Sequence, residues 1–156
     1  TLFPYTTLFR SPYRVRRRTI EWRDGLLART GFVARPAAGP ADVSRLLDRL
    51  RSAGLAPPSV ADLAGEMPTL DVPAALRMAA KEGTAVAVER DRYYAREALD
   101  GFVAALREIG AAGDVTPGAL RDRTGASRKY LIPLLEWADR AGITVRAGEA
   151  RRLARA

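Results

Sequence analysis

The chain has 156 residues with 26 basic and 18 acidic side chains, a formal net charge of +8 at pH 7, and neither cysteine nor histidine. It therefore has no disulfide or thiolate chemistry, and it lacks the commonest metal ligand and general base. No apolar run is long enough for a transmembrane helix. A hydrophobic content of 47% is sufficient for a core. These properties favour a globular, non-enzymatic chain with a polyanionic partner, although an arginine-rich genome is an alternative source of the charge.

The first eleven residues, TLFPYTTLFRS, do not continue into the pattern that follows. Their back-translation can be spelled as a common sequencing adapter read in frame, so residues 1–11 are interpreted as a non-native scar and excluded from the fold prediction. We therefore expect a C-terminal fragment of a longer protein. Residues 12–35 carry seven arginines against two acids and are interpreted as a basic remnant of an upstream domain or a linker.

Residues 36–95 show the order helix, short helix, helix, hairpin. The first and third helices are predicted to end at Gly54 and Gly83, and the hairpin turn at residues 90–91. The predicted N-caps of the three helices are Asp42, Ser59 and Asp71. Because its charges balance, this unit is interpreted as a structural spacer, with Tyr93 and Tyr94 packing between units.

Residues 96–156 repeat the same order. The first helix is predicted to end at Gly110, and the hairpin to turn at Gly148 and Glu149. Caps are expected at Thr116, with Pro117 at the first helical position, and at Ser127. A helix-turn-helix followed by a two-stranded wing is a winged helix. The predicted fold class is therefore mainly α with small β wings (α+β), in two tandem winged-helix domains.

The second unit carries the candidate nucleic-acid-binding residues. Its third helix starts with Ser-Arg-Lys-Tyr, and the dipole and unpaired N–H groups of a helix N-terminus attract anions. The full candidate set is Arg121, Ser127, Arg128, Lys129, Tyr130, Arg146, Arg151 and Arg152. The last three are expected to form one basic edge of the wing. For each arginine taken alone, a solvated surface charge is the favoured interpretation, and it is the clustering of the helix end and the wing that favours binding. Tyr130 either stacks on an unpaired base or covers the helix start. Pro133 is expected to bend that start.

The stretch TPGALRDRTGASRKYLIPLLEWADRAGITVRAGEARRL resembles the last winged helix of bacterial selenocysteine-specific elongation factors, the SelB family. The signature consists of residues 127–130, then Pro-Leu-Leu-Glu, Asp-Arg and Gly-Ile-Thr, followed by Arg146 and Gly148. The upstream unit resembles the penultimate winged helix of the same family. Together the two units extend from about residue 36 to the end of the chain.

The resemblance implies that the last unit binds a messenger-RNA hairpin downstream of an in-frame UGA codon. By the matching motif, the contacts would come from Arg128, Lys129 and Tyr130 and from the wing residues Arg146, Arg151 and Arg152. In that family an N-terminal GTPase delivers selenocysteinyl-tRNA to the ribosome. GTP, Mg²⁺, ribosome and tRNA would therefore engage the missing N-terminal part of the protein. No G-x-x-x-x-G-K-[ST] loop occurs here, so we expect this fragment to have no cofactor and no enzymatic activity. A cytoplasmic monomer without membrane contact is implied.

Two other classes of function remain open. A winged helix by itself is typical of DNA-binding transcriptional regulators, so the fold alone favours that reading. The order of residues in the third helix of the second unit favours RNA. A protein-interaction module would suit the neutral first unit, and such a module would bind neither nucleic acid at physiological salt.

Overall fold

The structure is a computed structural model that describes residues 20–23, 26–29, 39–148 and 150–154. The chain divides into two compact units, Thr1–Ala34 and Arg35–Ala156. In the smaller unit, strands β1 (Ile20–Arg23) and β2 (Leu26–Arg29) form an antiparallel pair. The predicted scar lies outside the described residues.

The larger unit alternates three helices with a two-stranded hairpin, and does so twice. In chain order its elements are α1 (Pro40–Ala53), α2 (Val60–Glu66), α3 (Val72–Lys81), β3 (Ala85–Glu89), β4 (Arg92–Ala95), α4 (Arg96–Ala112), α5 (Pro117–Thr124), α6 (Arg128–Arg140), β5 (Thr144–Ala147) and β6 (Ala150–Leu153). Both hairpins are antiparallel. The predicted winged-helix α+β class is confirmed. The tandem count and the border between residues 95 and 96 stay predictions, since this unit is compact as a whole.

The helix starts follow from the capping side chains. Ser59, Asp71 and Thr116 each accept a hydrogen bond from the backbone N–H three residues further on, at 3.2, 3.1 and 3.2 Å. The predicted cap of α1 is one turn too late, because Gly39 occupies the N-cap position. Asp42 instead accepts a hydrogen bond from the Gly39 N–H at 3.2 Å, so its carboxylate still stabilises the first turn.

Helix α4 does not end at Gly110, as predicted, but continues to Ala112 with Gly113 at its C-cap. Gly110 has a packing role instead. A Cβ built on it would lie 2.5 Å from Cγ of Leu153, closer than real Cβ atoms approach. The missing side chain therefore lets β6 pack directly against α4.

Two apolar cores hold the larger unit together. The first joins α1, α2 and α3, and the second joins α4, α5 and α6. Val88 and Tyr94 belong to the second core although they lie in the first hairpin, whereas Ala85 and Ala95 of the same hairpin face the first core. Tyr93 is half-buried against the first core. The prediction that the two tyrosines pack between the two winged-helix units holds for Tyr94, which reaches the second core. Tyr93 packs against the core of its own unit instead.

Candidate nucleic-acid interface

The start of α6 presents two exposed cations and two unpaired backbone donors. Ser127 occupies the N-cap position, but its side chain makes no capping bond. Its carbonyl accepts the N–H groups of Tyr130 and Leu131 at 3.0 and 3.1 Å. The N–H groups of Arg128 and Lys129 have no acceptor within the described part of the chain, and both side chains are exposed. This arrangement suits an anion.

Tyr130 is half-buried beside these cations. The Lys129 ammonium and the Arg92 guanidinium each lie over its ring, 5.5 Å from the centroid. Arg92 comes from β4 in the first hairpin and forms an ion pair with Glu89 at 3.3 Å. Of the two roles predicted for Tyr130, these contacts favour a cover over the helix start that links α6 to the first hairpin.

A further carboxylate, that of Asp62, lies near the same corner. Hydrogen bonds from the Ser59 hydroxyl and N–H lower the pKa of Asp62, and the positive charges of Arg92 and Lys129 lower it further. Asp62 is therefore ionised at neutral pH and offsets part of the charge of Lys129. Arg128 is the less compensated of the two cations at the start of α6.

The wing adds two further exposed cations. Arg146 donates from Nε to the Gly148 carbonyl at 3.3 Å, across the tip of the hairpin. Arg152 donates from Nε to Asp114 at 2.8 Å, and its side chain is 70% exposed. Exposed ion pairs contribute little to stability, so Arg152 can exchange the carboxylate for a phosphate at small cost.

The prediction that Arg151 belongs to the exposed basic edge is wrong. Its residue is only 7% exposed, and Nε donates to Asp139 at 2.9 Å. Arg146 and Arg151 are cross-strand partners and so share one face of the hairpin. That face turns toward the helices: Arg146 remains in solvent near the tip, whereas Arg151, on the other strand, is covered.

Arg121 on α5 is exposed but bonded to its neighbour, with Nε and Nη2 at 3.2 and 3.1 Å from Asp122. Arg123 is paired in the same way with Glu108. The surface of α5 is thus locally neutralised, and Arg121 is a weaker candidate for polyanion binding than Arg128.

Sequence reasoning missed the residues through which the first hairpin docks on α6. Besides the Arg92–Tyr130 contact, Arg140 at the end of α6 donates to the Val88 carbonyl at 2.8 Å. The balanced charge and the two tyrosines of this hairpin are the available sequence signals that it packs against protein. Helix α6 continues through Pro133, and the bend expected there stays a prediction.

Other kinds of site find no support in the described ranges. They contain no group of three or more acidic side chains placed to hold a metal ion. None of the helices described is both long and apolar enough to cross a membrane. The start of α6 and the wing are therefore the surface on which a function is best sought.

Comparison with known proteins finds relatives for the second winged-helix unit and for residues before it. Residues 107–153 match the family model described as elongation factor SelB, winged helix. The chain is 33% identical over 104 residues to the selenocysteine-specific elongation factor of Desulfomicrobium baculatum. The matched region covers 65% of this chain and 16% of that protein. The Escherichia coli K12 protein of the same name is 38% identical over 74 residues, or 47% and 12% of the two chains. The chain thus spans less than a fifth of these relatives.

Two solved structures share the fold. A bacterial selenocysteine-specific elongation factor, EF-Sec, is 23% identical with a TM-score of 0.62, covering 88% of this chain and 22% of that one. The mRNA-binding domain of E. coli SelB, solved in complex with SECIS RNA, is 31% identical with a TM-score of 0.62; the match covers 75% of this chain and 100% of that domain. Because that domain is matched over its whole length, the chain belongs to the selenocysteine-specific elongation factor (SelB) family.

Proposed function

We propose that the chain is the messenger-RNA-reading arm of a selenocysteine-specific elongation factor. It binds an RNA hairpin downstream of an in-frame UGA codon, so that selenocysteine is incorporated at that codon. The observation that carries the proposal is the full-length match to an mRNA-binding domain solved with its RNA. The exposed cations Arg128 and Lys129 at the start of α6 supply the chemistry in this chain.

The start of α6 would bind the hairpin through charge and shape. A phosphate seated on the free N–H groups of residues 128 and 129 gains from the helix dipole and from two full charges. The Arg128 guanidinium can instead fork to a guanine edge that an RNA loop exposes. Arg146 and Arg152 reach further phosphates from the wing. Arg151 takes no direct part, because it is buried.

The remaining activities of the whole protein are part of the same proposal. GTP and Mg²⁺ binding, delivery of selenocysteinyl-tRNA and contact with the ribosome are assigned to regions of a longer protein outside this chain. The chain itself acts as a cytoplasmic, monomeric, non-catalytic module without a cofactor. The much greater length of the curated relatives supports this division of roles.

Replacing both cations at the start of α6, as Arg128→Ala/Lys129→Ala, is expected to weaken binding of a labelled hairpin about 30- to 1,000-fold. Loss of two phosphate-directed charges also makes the salt dependence shallower, by about 1.5 in the slope of log affinity against log salt. Fluorescence anisotropy across a salt series measures both. The matched control is Arg45→Ala/Lys81→Ala, which removes the same charge from exposed positions in the first unit.

Competition separates this proposal from its alternatives. A hairpin from downstream of a UGA codon is expected to displace the label at far lower concentration than a scrambled hairpin or duplex DNA. A preference for duplex DNA would favour a transcriptional regulator instead. No binding to any nucleic acid at physiological salt would favour a protein-interaction module. Equal losses in the double variant and its control would mean that the basic charge is generic.

A further inference from the structure

A single carboxylate ties both strands of the wing to α6. Asp139, in the last turn of the helix, accepts the Thr144 hydroxyl at 2.6 Å through Oδ1 and the Arg151 Nε–H at 2.9 Å through Oδ2. Thr144 and Arg151 are 2% and 7% exposed. Because these residues belong to β5 and β6, the clamp formed by Asp139, Thr144 and Arg151 holds both strands at once.

The backbone of Arg151 is fixed as well. It exchanges two hydrogen bonds with Val115, at 2.8 and 2.9 Å, so Val115 lengthens the sheet by one position beside β6. In this pair Arg151 is buried, whereas the Asp139 side chain is 26% exposed. A charged clamp is a poor device for stability alone, because removing the guanidinium from water costs part of what the pairing returns. Such a pair does fix the orientation of the hairpin relative to α6, since both bonds to Asp139 are lost when the hairpin rotates.

The first hairpin provides an internal comparison. The N–H of Thr84 bonds to the Ala79 carbonyl at 2.9 Å, as the N–H of Ile143 bonds to the Ala138 carbonyl at 2.9 Å, which aligns the two helix ends. The helix-end alignment makes Ala80 and Ala85 the counterparts of Asp139 and Thr144, and the strand pairing makes Tyr93, opposite Ala87, the counterpart of Arg151, opposite Arg146. The first hairpin therefore lacks the clamp and is held by docking on α6 instead. The clamp occurs in the hairpin whose exposed arginines are the candidate RNA contacts.

We propose that Asp139 is a positioning residue for RNA binding, which fixes the wing at the angle where Arg146 and the start of α6 engage one RNA molecule. The inference rests on the proposed function. Asp139 lies eleven residues from Arg128, about 17 Å along the helix, and its hydrogen bonds go to the wing. It therefore acts through the wing and not by touching RNA.

A double-mutant cycle between Asp139→Asn and Arg146→Ala tests the proposal, with the hairpin affinity of the whole chain as readout. Asp139→Asn is expected to weaken binding about tenfold, although it removes a negative charge and by charge alone would strengthen binding. Arg146→Ala should weaken binding by a similar factor in the parent chain, but less than twofold in the Asp139→Asn background. The control Glu108→Gln removes an exposed acid bonded to Arg123 and should leave binding unchanged or slightly strengthen it, but not weaken it.

Hydrogen exchange without RNA gives a second readout. In Asp139→Asn, the wing amides should lose protection while those of α1 keep theirs. Where Asp139→Asn does not fold cooperatively, Thr144→Val removes one clamp bond at constant size and is carried through the same cycle. Three results would each overturn the proposal. The losses of affinity in Asp139→Asn and Arg146→Ala could multiply fully in the double variant, Asp139→Asn could bind the hairpin as tightly as the parent chain, or its wing amides could keep their protection. If the parent chain does not bind the hairpin, the proposed function itself is refuted, and the role of Asp139 in RNA binding is refuted with it.

Discussion

Replacing Tyr94 with alanine is expected to destabilise the fold by about 3–5 kcal/mol, although Tyr94 lies in the hairpin of the first unit. Its ring is fully buried in the second core, among side chains of α4 and α6. Truncation leaves a cavity that these helices cannot close without moving. Urea unfolding followed by circular dichroism measures the loss.

The matched control is Tyr94→Phe. The Tyr94 hydroxyl is buried without a hydrogen-bond partner in the described structure, and burial raises the pKa of this group, so it stays protonated. Removing it leaves no partner unsatisfied, and the change should lie within about 1 kcal/mol of zero or be stabilising. Equal destabilisation by phenylalanine and alanine would show that the hydroxyl is bonded after all. A harmless alanine would show that the hairpin is not part of the second core.

Gly110→Ala is expected to destabilise the protein by about 1–3 kcal/mol through overpacking, even though alanine is the better helix former. The new Cβ would meet three side-chain atoms of Leu153, the nearest at 2.5 Å, so Leu153 must move and is expected to push β6 away from α4. Because β6 carries Arg152, hairpin affinity should fall as well. Thermal unfolding and anisotropy on the same sample measure the two effects.

Gly101→Ala in the same helix is the control. A Cβ at Gly101 meets nothing within 4 Å, so this variant should gain up to about 1 kcal/mol from helix propensity. The pair separates propensity from packing within one helix. If Gly110→Ala stabilises the protein as much as Gly101→Ala does, the close approach of β6 to α4 is not tight.

Local chemistry made much of this fold predictable. Ser59, Asp71 and Thr116 cap helices because their side chains reach a backbone donor three residues away, a relation contained in the sequence itself. The exposed cations at the start of α6 followed from the same local logic. The N-cap of α1 was predicted one turn too late, at Asp42, because Gly39 occupies that position.

The remaining errors concern contacts between distant parts of the chain. Gly110 looks the same in sequence whether it ends a helix or admits a neighbouring strand, and the distance to Leu153 decides. Arg151 and Arg152 are adjacent arginines, yet one is buried and the other exposed, because successive strand residues face opposite ways. The docking of the first hairpin joins Arg92 to Tyr130, and no local pattern specifies that pairing.

The hairpin shared between the two cores sets the size of the piece that can be exchanged between relatives. Ala85 and Ala95 face one core while Val88 and Tyr94 face the other, so a chimera joined anywhere in residues 85–95 combines foreign surfaces in one of them. Grafting the last winged helix alone would pair it with an unfamiliar hairpin. Transfer of RNA specificity should therefore move residues 39–154 as one block, or change only the outward side chains of α6 and the wing.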